Sequence, residues 1–177
     1  MTIESQTLSY TAGEDELKGY MAYDDKSGST RPGVIVVHEW WGLDDYIRTR
    51  ADKLAELGYA ALAIDMYGNG ATADSPDEAG AMMNAVLGNM EIGTSRLRAA
   101  HEVLCAQPVV DETRTAAIGY CFGGAMVLHM LELACRLKQW SVSMVRWGHS
   151  MSQNQERLNL EFWFVTVLKT AWFRIAI

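Results

Sequence analysis

Five residues raise the question of chemistry. Gly119, Tyr120, Cys121, Phe122 and Gly123 form a Gly-x-Cys-x-Gly run inside "AAIGYCFGGAM", Ala116 to Met126. A thiol on such a run can attack an acyl carbon when a strand leads into it and a helix leads away. The bend is then so tight that side chains two positions either side of the cysteine would collide, which calls for glycine at both places. The bend lifts the sulfur above the carboxyl end of a sheet. It also sets the sulfur at a helix N-terminus, where unpaired amides and the helix dipole favour a thiolate. The Phe122 N–H is left to hold an oxyanion. A small cysteine buried in a close strand–helix turn would account for the same residues without chemistry. Strand, paired glycines and helix together favour the nucleophile.

The elements that must position this run can be read from the pattern. "TIESQTLSY" and "LKGYMAY" alternate about the polar turn "TAGEDE" and predict an antiparallel pair. "GVIVVHE", Gly33 to Glu39, is a continuous β-branched run, expected of a strand buried on both faces. Leu43, Ile47, Ala51 and Leu54 follow at helical spacing, with Gly58 as a stop. "YAALAIDMYG" predicts a second buried strand ending at Asp65. Ser75 before Pro76 predicts a capped helix, and another helix is expected over Glu91 to Ala106. "TAAIGY" is the third buried strand, and the helix after Cys121 should run to about Leu133. Strands alternating with helices predict an α/β domain with a mostly parallel sheet and right-handed crossovers.

"VVHEWWGL", "AIDMYG" and "IGYCFGG", each following a buried strand, together resemble the dienelactone hydrolase family of α/β-hydrolases. The motifs run from the N-terminus to about Leu131. The resemblance implies an α/β-hydrolase fold that cleaves lactones or small carboxylic esters, carboxymethylenebutenolidase-like, with a Cys-His-Asp triad, no cofactor and no metal. It implies Cys121 as nucleophile and Glu39 as the strand-end carboxylate that pairs with the resting cysteine. It implies the Phe122 and Trp40 amides as oxyanion hole, with Gly119, Gly123 and Gly124 shaping the bend. A carboxylate near the sheet top does need a partner to offset its desolvation, and a thiol that can give it a proton would serve. By the same resemblance Asp65 shapes a turn. Trp40 and Trp41 either wall a pocket or simply pack.

The other triad members are not identifiable. His129 lies eight residues along the same helix, about 12 Å from Cys121 by helical rise. His101 sits on a helix expected to cover the sheet. Strand alternation turns His38 away from the face of Glu39. His149 has no assigned place. Asp111 is the last aspartate and precedes the nucleophile. From about Leu131 the character of the chain changes. Gly148 is the only glycine after Gly124, no proline follows Pro108, and Trp140, Trp147, Trp163 and Trp172 are four of the six tryptophans. An α/β sheet needs glycine and proline turns. Residues 1–133 therefore read as the N-terminal part of an α/β-hydrolase domain, incomplete at its C-terminal side, and 134–177 as a divergent or aberrant segment. A shifted reading frame is the favoured account of that segment. Displaced-frame readings of Gln139 to His149 and of Trp163 to Ile175 permit family-like strings, one of them a strand ending in His-Gly.

Composition narrows the class. The chain has 177 residues, 49% apolar and 21% charged, enough for one globular domain. A net charge of −7 argues against nucleic-acid or anionic-membrane partners. Three cysteines without metal-type spacing argue against a disulfide framework or zinc site. The polar N-terminus lacks the order of a signal peptide, and Glu161, Lys169 and Arg174 interrupt the late apolar stretch, so a cytoplasmic protein is expected. The expected partner is a small ester or lactone; the oligomeric state is not readable. An impaired hydrolase is the leading expectation, with poor solubility from an uncovered sheet edge. The alternatives are an inactive remnant binding a small carboxylic ligand and a thiol redox protein using Cys121.

Overall fold

The computed structural model describes residues 2–25, 28–136, 141–145 and 164–168. In chain order they form β1 (Ile3–Ala12), β2 (Asp15–Asp24), β3 (Arg31–Val37), α1 (Asp45–Glu56), β4 (Ala60–Ile64), α2 (Pro76–Leu87), α3 (Met90–Cys105), β5 (Val110–Gly119), α4 (Phe122–Arg136), β6 (Ser141–Val145) and β7 (Phe164–Leu168).

These strands make one sheet in the order β1-β2-β4-β3-β5-β7-β6. Its centre, β4-β3-β5, is parallel. Its flanks are antiparallel, with β2 against β4 on one side and β7 against β5 on the other. The sheet is thus mixed, and the mostly parallel sheet expected from the sequence is confined to its middle. β7 pairs with β5 at Ala116↔Leu168 and Ala117↔Val167.

Local chemistry accounts for the boundaries. β1 and β2 turn through Gly13 and Glu14 alone, because Gly13 takes a φ of 64° that suits glycine. The hairpin is therefore tighter than the polar run suggested. Asp44 caps α1 by accepting from the Ile47 N–H at 3.0 Å, and Ser75 caps α2 by accepting from Glu78. β5 starts earlier than its apolar run, since Val110 and Asp111 pair with Arg31 and Pro32 before a register shift skips to Thr115. That polar, largely exposed lead-in hides from a search for buried strands.

Two core clusters flank the centre of the sheet. Ile35 and Val37 of β3, with Leu62 and Ile64 of β4, pack with Leu97, Ala100, Leu104, Met126 and Val127 of α3 and α4. The alternate residues Val34, Val36, Ala61 and Ala63 pack with Ile47, Ala51 and Ala55 of α1. Period-two alternation thus sends each strand's side chains to two helical layers. The parallel centre brings the ends of β3, β4 and β5, and so Glu39, Asp65 and Cys121, to one edge of the sheet. Among the described residues, no helix is long and apolar enough to cross a membrane.

Candidate active site

Cys121 sits between the last residue of β5 and the first of α4, with a φ of 51°, and is exposed. A non-glycine residue in that left-handed region is held by its surroundings at a cost of order 1–3 kcal/mol. The glycines supply the constraint. A Cβ on Gly119 would lie 2.2 Å from the Gly123 carbonyl oxygen. A Cβ on Gly123 would lie 2.4 Å from the Val37 oxygen and 2.6 Å from that of His38. Both places therefore exclude every side chain. The second contact also shows that the start of α4 is pressed against the end of β3. Gly124 is buried in the first turn of α4.

Two amides lie near this bend in sequence or along the strand end packed against it. Neither the Phe122 nor the Trp40 N–H donates to a protein acceptor among the described residues. Phe122 opens α4, where orphan amides and the macrodipole favour negative charge. Trp40 lies two residues beyond His38, whose carbonyl abuts Gly123.

Glu39 is half-buried, and its carboxyl is pushed above the ordinary range by burial first and by Asp44 second, with Arg50 pulling the other way. Its carboxylate makes no hydrogen bond or ion pair among the described residues, so the resting Glu39–Cys121 pair implied by the resemblance is not formed as a hydrogen bond. Its electrical surroundings come instead from α1 and Tyr120. The Arg50 guanidinium lies 4.7 Å from the Tyr46 ring centre and 5.6 Å from that of Tyr120.

Asp65 is consumed by structure, as the turn reading expected. Its carboxylate accepts from the amides of Tyr67 at 2.9 Å, Gly68 at 2.7 Å, Gly70 at 2.7 Å and Lys18 at 3.2 Å. Tyr67, which sequence reasoning did not single out, sits on the loop so fixed. Its ring lies 5.8 Å from that of Phe122 at 26°, and its hydroxyl donates to the Trp40 carbonyl at 2.8 Å. Burial, and then the Cys121 sulfur, push its phenol far above the usual range. Its signal was its position just after a strand-end aspartate, where an aromatic also reads as core.

The described histidines are engaged elsewhere. His38 is fully buried; its Nε2 accepts from the Met66 amide at 3.2 Å, so its Nδ1 carries the proton and donates to the Glu39 carbonyl. Burial holds its imidazole below the ordinary range. His129 Nε2 meets the Thr94 hydroxyl at 2.9 Å, and His101 Nε2 meets that of Thr115 at 3.3 Å. His149 lies outside the described residues. The Trp40 and Trp41 rings meet edge-on at 5.2 Å, both half-buried. No cluster of three or more His, Cys, Asp or Glu that could hold a metal ion occurs among the described residues.

Comparison with known proteins follows the same lines. The model of the dienelactone hydrolase family matches residues 17–159. The match runs past Leu131, where the recognisable motifs stop. "Protein usf" of Aquifex pyrophilus is 31% identical over 128 residues, 70% of this chain and 54% of that protein. A protein of Aquifex aeolicus provisionally named a carboxymethylenebutenolidase is 26% identical over 168 residues, 93% of this chain and 71% of that one. A crystal structure of a dienelactone hydrolase-like promiscuous phosphotriesterase, P91, from metagenomic libraries superposes with a TM-score of 0.73 at 36% identity, covering 76% of this chain and 56% of that one. The chain spans about half the length of the first and third of these.

Proposed function

This chain belongs to the dienelactone hydrolase family of hydrolases, and on that premise we propose that Cys121 attacks the carbonyl carbon of a small carboxylic ester or lactone. The observation that carries the reading is the strained, exposed Cys121 on a glycine-locked bend, with the Phe122 and Trp40 amides donating to no protein acceptor among the described residues.

The thiol proton passes to Glu39, whose carboxyl is held above its ordinary range by burial, which favours taking a proton. The sulfur bonds to the acyl carbon, and the carbonyl π electrons move onto oxygen, where the Phe122 and Trp40 N–H groups hold the charge. Collapse expels the alkoxide or enolate, which takes the proton back from Glu39, and leaves a thioester on Cys121. Water then releases the carboxylic acid and restores the thiol. Among the described residues His38, His101 and His129 are each tied to other partners, so none of these three activates that water, and slow release of the acyl group is expected. Loss of triad members lowers turnover by orders of magnitude without abolishing the contribution of an oxyanion hole.

An activated aryl ester tests this. The chain is expected to give a burst of up to one equivalent of phenolate followed by slow turnover, and Cys121→Ala no burst. Absence of a burst, or an equal one in Cys121→Ala, overturns the reading. A thiol that reacts with peroxide but not with esters supports the redox alternative.

A further inference from the structure

An oxyanion hole built from two loops has a mechanical problem. Its donors must converge on one oxygen to within about 2.7–3.1 Å. Here one donor, Trp40, follows β3, and the other, Phe122, follows β5. Nothing in the covalent chain ties them together, because more than eighty residues separate them. Trp40 also leads into Gly42, whose φ of 94° marks a sharp turn.

We propose that Tyr67 is the positioning residue that clasps the two donors, its hydroxyl holding the Trp40 backbone while its ring rests on Phe122. This rests on the reading of Cys121 as an acyl-accepting nucleophile and extends it to a residue from a third strand end. The clasp has a rigid mount. Asp65 accepts from the Tyr67 amide and from those of Gly68 and Gly70, so the backbone below the ring is fixed. Buried His38 also packs against the ring in an edge contact, its ring centre 4.8 Å away at 61°. The Trp41 carbonyl accepts from Ala73 at 3.0 Å, which anchors the far side of the same loop. Only Tyr67, of these contacts, touches both donor residues.

The hydroxyl can be removed without the ring. Tyr67→Phe keeps the stack on Phe122 and releases the Trp40 carbonyl. Losing an oxyanion donor outright slows reactions by about 100- to 1,000-fold, so loosening one is expected to slow acylation by about 10-fold. Alkylation of Cys121 by iodoacetamide is the discriminating control: it displaces iodide at saturated carbon and develops no oxyanion. Both rates are measured on the same preparation of the 177-residue chain, and a thermal melt of Tyr67→Phe confirms folding. Acylation slowed about 10-fold in Tyr67→Phe, with alkylation unchanged within about twofold, supports the clasp. Unchanged acylation overturns it while leaving Cys121 as the nucleophile. Equal slowing of both reactions also overturns it, because Tyr67 would then act on the thiol or on the fold. A parent chain that is not acylated at Cys121 removes the functional reading, and the clasp falls with it.

Discussion

Two acidic residues end neighbouring parallel strands and meet opposite fates. Asp65, after β4, spends its carboxylate on four backbone amides. Glu39, after β3, spends its own on none among the described residues and is left partly desolvated beside Asp44. A carboxylate absorbed into backbone bonds is architecture. One partly desolvated and without a hydrogen-bond partner among the described residues is a group whose protonation is poised to change, the condition expected of a residue that exchanges protons.

The difference can be broken from either side. The largest effect should come from Asp65→Ala, which strands several amides with no acceptor. A loss of about 3 kcal/mol is expected in urea denaturation, from unsatisfied polar groups in the loop. Ester acylation should also fall, because Tyr67 loses its mount. A change within ~0.5 kcal/mol would show that Asp65 is not the organiser of this loop.

Glu39→Gln should separate the two effects, slowing ester acylation of Cys121 severalfold while leaving the fold intact or slightly more stable. The sign follows from the raised carboxyl. Between the ordinary value of 4.5 and its value in the fold, the folded chain binds more protons than the unfolded chain. Stability from this group therefore falls as pH rises through that window. The melting temperature of Glu39→Gln should overtake the parent's above pH 4.5 and lose that advantage below it. A variant clearly less stable at pH 7 would mean that Glu39 is structural after all.

The smallest effect sharpens the frame beneath Glu39. His38 is buried neutral and bridges the Met66 amide to the Glu39 carbonyl. Its folded affinity for protons is lowered from 6.5, so the unfolded chain takes up the proton first. Stability should decline as pH falls below 6.5, by at most about 1.4 kcal/mol per pH unit, and the slope should shrink in His38→Gln. An identical slope in that variant would place the acid sensitivity elsewhere.

The sequence carried much of this because the decisive features are local. The β-branched and alanine-rich runs announced β3 and β4, Ser75 and Pro76 announced α2, and Gly119 and Gly123 announced a bend whose steric need the backbone distances bear out. What it hid depends on contacts between distant segments. Tyr67 reads as one more core aromatic until its hydroxyl meets Trp40. The setting of Glu39 comes from Asp44 and Arg50, which nothing in the spacing of "VVHEWWGL" predicts. The pairing of β7 with Ala116 and Ala117 of β5 likewise joins distant segments that no spacing in the sequence announces. The proposed shift of reading frame concerns residues that lie mostly outside the described ones, and the gene's nucleotide sequence across Leu131 decides it.

The central claim is that the thiol on the β5–α4 bend takes the acyl group. Brief reaction with one equivalent of an activated ester, followed by digestion and mass mapping, tests it directly. The acyl mass is predicted on the peptide that contains Cys121. An acyl mass on Cys105, or scattered over lysines while Cys121 stays unmodified, would contradict the account.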